Sequence, residues 1–211
     1  MTHHRYWLTP LLALLLSGCE QSAPPGPAFA FERLDRDGAV IAGGGDFQQA
    51  PWQCVRDRNT GLIWEMKGVA PALHGATHTY SWYAPDNAPM DGHDYRGTPD
   101  AGQCAGSACD TSAYVQAVNA AGLCGFNDWR LPTKDEFASI SDPRQPLIPP
   151  TIDRDYFPDT QPGEYWTAND YSFKHDAAWA WNFEFSHDRV DWKQAPKFVR
   201  LVRGQRLNPS R

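Results

Sequence analysis

No run of lysine and arginine occurs anywhere in the 211 residues, and the formal net charge is -6. A groove that tracks nucleic-acid phosphates, or a polybasic patch on an anionic lipid surface, needs clustered cations, so both partner classes are argued against. No Gly-x-y repeat is present, which leaves no collagen-like stalk to trimerise the chain. No Cys-x-x-Cys occurs, and no pair of histidines at finger spacing follows the cysteines. A structural zinc site therefore lacks its usual ligand pattern, and no metal ligand is assigned. Aspartate and histidine are plentiful between residues 74 and 110, yet no spacing isolates a carboxylate pair or a Ser/His/Asp set.

What is present is a chain with 41% hydrophobic and 13% aromatic residues, enough for one sizeable core. Eighteen prolines, seventeen glycines and nine tryptophans predict a loop-rich fold of modest helix content, pinned by large rings. The first residues read as an address. Arg5 precedes an apolar run from Trp7 to Leu16 that is too short to span a bilayer as a permanent helix. Leu16-Ser-Gly-Cys19 then resembles a bacterial lipobox, with cleavage before Cys19 and acylation of its thiol. Glu20 follows instead of the aspartate of an inner-membrane retention signal, so the expectation is a lipid-anchored protein of the bacterial outer membrane. The expected organisation is a leader over 1–18, lipidated Cys19 with a Pro-rich tether over 19–28, one domain over 29–206, and a tail over 207–211.

With Cys19 acylated, four cysteines remain in an oxidising compartment, where an even number favours disulfides. Four cysteines allow three pairings. Loop length favours Cys104 with Cys109, which leaves Cys54 with Cys124; zinc is the rival use of the thiols.

Strands are expected over Phe29–Leu34, Leu62–Met66, Glu164–Ala168 and Phe198–Arg203. The Asp35-Arg-Asp-Gly38 turn mimics half of a calcium loop, but its later ligands are missing. Asp110 or Thr111 caps a helix from about Ser112 to Ala121, with Tyr114, Ala117, Val118 and Ala121 on one face and Gly122 as its stop. Thr133-x-x-Glu136 forms a capping box after Pro132 and opens a short helix from Lys134 to Ile140. Ala178–Phe185 alternates strictly, which predicts a core strand with Trp179, Trp181, Phe183 and Phe185 on one aromatic face. Ser186–Arg189 then turns it into Val190–Trp192. Arg130, between Trp129 and Leu131, and Arg200, among apolar neighbours, each need a carboxylate or carbonyl partner. For Arg130 a structural tie is favoured over a ligand contact.

The irregular stretch from Lys67 to Asp110 is where a ligand is sought, because a long loop in a compact domain is usually functional or disordered. Trp64, Trp129, Trp166, Trp179 and Trp181 are assigned to the core. Trp82, Tyr83, Tyr171 and Trp192, at loops or strand ends, are candidates for stacking on a ligand. Asp86, Asn87, Asn169 and Asp170 are candidates for sugar hydroxyls or for calcium, the only cofactor considered; each is also an ordinary turn residue.

Several separated motifs fall in one order: Asp57-x-x-Thr-Gly-Leu-Ile-Trp64, Tyr80-Ser-Trp-Tyr83, Gly106-Ser-Ala-Cys-Asp-Thr111, Asn119-Ala-Ala-Gly-Leu-Cys-Gly125, Asp128-Trp-Arg-Leu-Pro-Thr133, Tyr156-Phe-Pro-Asp-Thr160, Tyr165-Trp-Thr167 and Val199-Arg-Leu-Val-Arg-Gly204. Together they resemble the Lcl C-terminal domain family, named for the Legionella collagen-like adhesin, over roughly Phe31 to Gly204. The resemblance implies an α+β fold akin to C-type-lectin-like and formylglycine-generating-enzyme-like domains, with two short helices, a twisted, mostly antiparallel sheet and long loops. It also implies an adhesin-like role. The family's namesake binds sulfated polysaccharides, whereas the acidic balance here points to neutral or weakly charged sugars.

The expectation is a non-catalytic module on a lipid anchor that binds carbohydrate or an envelope protein. An accessory envelope lipoprotein of a pilus or secretion machine is the second reading. An enzyme related to the formylglycine-generating proteins is the third, and it would need a reactive thiolate that paired cysteines do not offer.

Overall fold

The computed structural model describes residues 1, 28–43, 45–68, 72–144 and 149–208. The leader, Cys19 and the Pro-rich tether up to residue 27 lie outside these residues, as does the end of the tail.

Two antiparallel sheets carry the fold, where one had been expected. The first has the order β1 (Phe31–Leu34), β2 (Cys54–Asp57), β3 (Ile63–Glu65) and β7 (Val202–Arg203). The second has the order β4 (Glu164–Asp170), β5 (Ala177–Asn182) and β6 (His187–Trp192). The segment expected as one last strand joins the two instead. Phe198 bridges Tyr165 of β4, and Val202 pairs with Trp64 of β3, so the chain crosses from one sheet to the other within five residues.

Asp57 builds the turn between β2 and β3, accepting from the Asn59 amide at 2.9 Å and the Thr60 hydroxyl at 2.6 Å. β2 itself escaped the sequence reading. β3, within the strand expected over Leu62–Met66, is buried on both faces, Glu65 included. Asp35 accepts from the amides of Asp37 and Ala39, both at 2.9 Å, so the apparent calcium loop is a side-chain-closed turn.

Helix α1 runs Thr111–Ala121, with Asp110 accepting from the Ala113 amide at 2.9 Å and Gly122 ending it at φ 67°. Tyr114 and Val118 are buried, whereas Ala121 is exposed and leaves the expected apolar face. Helix α2 runs Lys134–Ser139 behind a complete Thr133/Glu136 capping box.

The expected hairpin is shifted. Asn182 accepts from the amides of Glu184 (2.7 Å) and Phe185 (3.3 Å), which turns the chain over residues 183–186, with Ser186 at φ 56°. Phe185, assigned to an aromatic core face, is therefore a turn residue and 62% exposed.

Both predicted disulfides are present, Cys54–Cys124 across 70 residues and Cys104–Cys109 across five. Residues 72–110 hold no helix or named strand, yet they are tied down by isolated bridges such as Tyr80 to Lys197 and Tyr83 to Gly97. Gly97 sits at φ 87°, where a Cβ would lie 2.4 Å from the Trp82 carbonyl, so only glycine lets the strap close.

Candidate functional site

The sheet β4–β5–β6 has one side that is only half covered. Across β5 and β6, Ala177 faces Trp192, Trp179 faces Val190, and Trp181 faces Asp188, so these six residues share that side. Helix α2 covers the Trp181 end. Phe137 packs edge-on to Phe183, at 5.3 Å between centroids, and Trp181 is 8% exposed.

Coverage stops at Lys134, the first residue of α2. Its Nζ lies 4.5 Å above the Trp179 ring and donates to Asp188 Oδ2 at 2.6 Å. Beyond that point no helix of the described residues covers the sheet, and Tyr171, Trp179 and Val190 are partly exposed while Trp192 is exposed. Tyr171 meets Trp179 edge-on at 5.7 Å and Phe173 at 5.5 Å, and Phe173 is 86% exposed. Lys174 Nζ lies 3.9 Å from the Trp192 centroid, and that indole is 44% exposed.

Two recesses flank Trp192. One, of about 340 Å³, is lined by Tyr171, Lys174, Arg189, Val190 and Asp191. The other, of about 170 Å³, is lined by Asp94, Thr98, Asp176, Lys193 and Gln194. An apolar ring between polar walls suits ligands that are flat and apolar on one face and hydroxylated at the edge.

The eight candidate ligand residues separate into three groups. Tyr171 and Trp192 lie on this open face. Tyr83 and Asp86 line a different groove, of about 430 Å³, with Arg130 and Arg206. The other four hold the structure together. Trp82 is buried, its Nε1 donating to the Thr167 carbonyl at 2.9 Å and Lys193 Nζ lying 4.4 Å above its ring. Asn87 Nδ2 donates to Asp170 Oδ2 at 2.9 Å while Lys193 holds Asp170 Oδ1 at 2.8 Å, and Asn169 Oδ1 accepts from the Lys134 amide at 3.0 Å. Trp82, Asn169, Asn87 and Asp170 thus fix the strap and the start of α2.

Trp179 corrects the sequence reading in the other direction: it was assigned to the core and is partly exposed. Strict alternation identified its side of the sheet but not how far helix α2 covers it. Val190 and Lys174 were missed outright. The alternation of Val190 and Trp192 was a usable signal, masked by placing the turn too late.

The signature residues are structural. Arg130 donates to Glu136 at 2.8 and 2.7 Å and to the Gly204 carbonyl at 3.1 Å. Asn119 clamps Trp129 through both its amide and its carbonyl, at 2.7 and 2.9 Å, and Arg203 pairs with Asp128 at 2.7 Å. Pro132 is buried just before the Thr133 cap. Arg200 is fully buried and donates to the Glu65 carbonyl at 2.6 Å and to Thr160 Oγ1 at 2.8 Å.

Glu65 anchors a second buried cluster. Its Oε1 takes Lys67 Nζ at 3.1 Å, lies 2.7 Å from His74 Nδ1 and accepts from the Tyr114 hydroxyl, while Oε2 takes the Leu201 amide at 2.9 Å. Burial pushes its carboxyl up, but Lys67 and the hydrogen bonds from His74 and Tyr114 outweigh that and hold it well below the usual range. Among the described residues, no group of three or more His, Cys, Asp or Glu is placed to hold a metal ion. The four cysteines of the described residues are all in disulfides, and no reactive thiolate is available from them.

A sequence model of the Lcl C-terminal domain matches residues 53–203. The chain belongs to that family. No curated protein and no solved structure matches it. In this Lcl C-terminal domain the motifs quoted above lie in the β2–β3 hairpin, the segment from Tyr80 to Thr111, the α1–α2 junction, the loop before β4, β4 itself and the crossing segment, and none of them contains Tyr171, Trp179 or Trp192. Family membership supports an adhesin-like, non-enzymatic binding module; it leaves the binding surface to be argued from the geometry.

Proposed function

We propose that this protein is a non-catalytic, adhesin-like binding module that recognises carbohydrate through the open face of β4–β6, held at the bacterial outer membrane by acylated Cys19. The observation that carries the reading is the row Tyr171, Trp179 and Trp192 beyond the first residue of helix α2, the first two partly exposed and Trp192 exposed, with polar recesses on either side of Trp192. Burying apolar surface on both sides of sugar rings, with carboxylates and amides at their edges, is how such a surface gains affinity without a metal. Fold kinship to C-type-lectin-like domains agrees with this role and is part of the same proposal.

The test is binding of the folded chain to a broad glycan panel, alone and as the Trp192→Ala and Trp179→Ala variants. A saturable hit lost in both variants supports the reading. A hit that both variants retain moves the site to the groove at Tyr83 and Asp86.

One observation favours a protein partner as the second reading. Strand β6 pairs only with β5 among the described residues, so its outer edge offers free backbone groups to an added strand. Capture of an envelope protein by a chain inert to every glycan would favour that reading.

A further inference from the structure

Lys193 directly follows β6 and is 1% exposed, and three acceptors hold its ammonium: Asp170 Oδ1 at 2.8 Å, the Tyr95 carbonyl at 2.7 Å and the His175 carbonyl at 2.8 Å. Two of these three also hold the carboxamide of Asn87. Its Nδ2 donates to Asp170 Oδ2 at 2.9 Å and to the Tyr95 carbonyl at 3.2 Å. Ionised Asp170 and a backbone carbonyl can only accept, which turns the amide nitrogen, not its oxygen, to this side. The amine and the carboxamide therefore lie next to each other, bridged once by a carboxylate and once by a carbonyl.

These are the groups of an amide exchange: a nucleophile, an acyl carbon with nitrogen as its leaving group, and one carboxylate in contact with both nitrogens. The buried Trp82 ring lies 4.4 Å from the ammonium and the Tyr95 ring 5.6 Å, so the amine is walled off from water on the aromatic side.

We propose that Lys193 and Asn87 join in an intramolecular isopeptide bond, with Asp170 as the proton carrier. Asp170 Oδ1 takes one proton from the ammonium. The lone pair so freed faces the carboxylate that holds Asn87, because the other two N–H bonds stay on the Tyr95 and His175 carbonyls. Nζ adds to Asn87 Cγ, and the Asp170 carboxyl turns and hands its proton to Nδ2. The Cγ–Nδ2 bond then breaks. Ammonia leaves with the surplus proton of the new amide nitrogen, as ammonium, so one cation is consumed and one released and no co-reactant is needed. Holding both partners in place supplies the acceleration. The exchange runs once per chain, does not depend on the carbohydrate reading, and locks the strap over residues 72–110 to the end of β6 beside Trp192.

The experiment is a tryptic map of the full, folded chain, reduced before digestion and read by mass spectrometry. Trypsin does not cut after an acylated lysine. The expected product is residues 68–96 joined to residues 190–197, lighter than the two peptides together by about 17 Da, the mass of ammonia. Asn87→Ala and Asp170→Asn are each expected to abolish that product and to release residues 190–193 as a free peptide. Asn87 is only partly buried, so its variant serves even where Asp170→Asn folds poorly. Residues 68–96 and 190–193 recovered apart from the wild-type chain, with no joined product, overturn the bond. A product that persists in folded Asp170→Asn overturns Asp170 as the proton carrier, and a Lys193 link to any other residue overturns Asn87 as the acyl partner.

Discussion

Arg130 and Glu136, six positions apart, meet in a two-point ion pair at 2.8 and 2.7 Å, and the same carboxylate caps helix α2 through the Thr133 amide at 2.8 Å and takes the Leu207 amide at 3.2 Å. Glu136 is fully buried and Arg130 is largely covered. Removing the carboxylate strands a guanidinium and two amides at once. Glu136→Ala is expected to lower stability by about 3 kcal/mol or more, read as the urea midpoint times the slope. A loss below about 1 kcal/mol would show that the pair does not hold the signature turn together.

Acid should unfold the domain through the same groups. Burial pushes Glu136 up, but the hydrogen bonds from Arg130 and the Thr133 amide and the Arg130 charge outweigh it, so its folded value lies below the ordinary 4.5; Glu65 is held lower still by Lys67 and His74. Below 4.5 the unfolded chain therefore binds more protons than the folded one. The stability these carboxylates contribute is fully present above that pH and is lost as the pH falls toward their folded values. Urea midpoints measured from pH 7 down to pH 3 should stay level to about pH 5 and then drop, with a shallower drop in Glu136→Gln. A midpoint independent of pH over that range contradicts the assignment.

The two disulfides should contribute unequally. In the chain-entropy picture, closing the 70-residue separation of Cys54 and Cys124 stabilises by about 4 kcal/mol, and the five-residue separation of Cys104 and Cys109 by about 2 kcal/mol. Cys54 and Cys124 are also buried, whereas Cys104 and Cys109 are not. The double Ala variant of the first pair should lose several degrees more in thermal midpoint than that of the second. Equal losses would mean that the short loop orders more of the strap than its length implies.

Much of this was legible in the sequence because it is local. Capping at Asp110 and Thr133, the Gly122 stop, the Asp57–Gly61 turn and the short Cys104–Cys109 loop depend on residues within a few positions of one another. What was not legible depends on where an element ends. Asn182 moved the hairpin turn by three residues through its side chain, and with it the exposure of Phe185. Helix α2 begins at Lys134, at the edge of Trp179, and leaves that ring partly exposed, a fact of tertiary packing that strand alternation cannot carry. The candidate site failed in the same way. Trp82 and Trp192 are both tryptophans at segment ends, and only the third dimension separates a ring under Lys193 from a ring facing open recesses.

That separation predicts opposite behaviour for two identical substitutions. Trp82→Ala removes a buried indole, its hydrogen bond to the Thr167 carbonyl and the ring beneath Lys193, so a loss of about 3–5 kcal/mol is expected. Trp82→Phe keeps most of the packing and should lose less, the missing hydrogen bond accounting for about 1 kcal/mol. Trp192 is 44% exposed, with the Lys174 ammonium 3.9 Å from its ring centroid, so Trp192→Ala should change stability by no more than about 1 kcal/mol. Urea unfolding of the three variants decides it. If Trp192→Ala proves as costly as Trp82→Ala, the indole is a structural support of the β5–β6 hairpin, and the open face loses the property that makes it a binding surface: a large ring that the fold itself does not need.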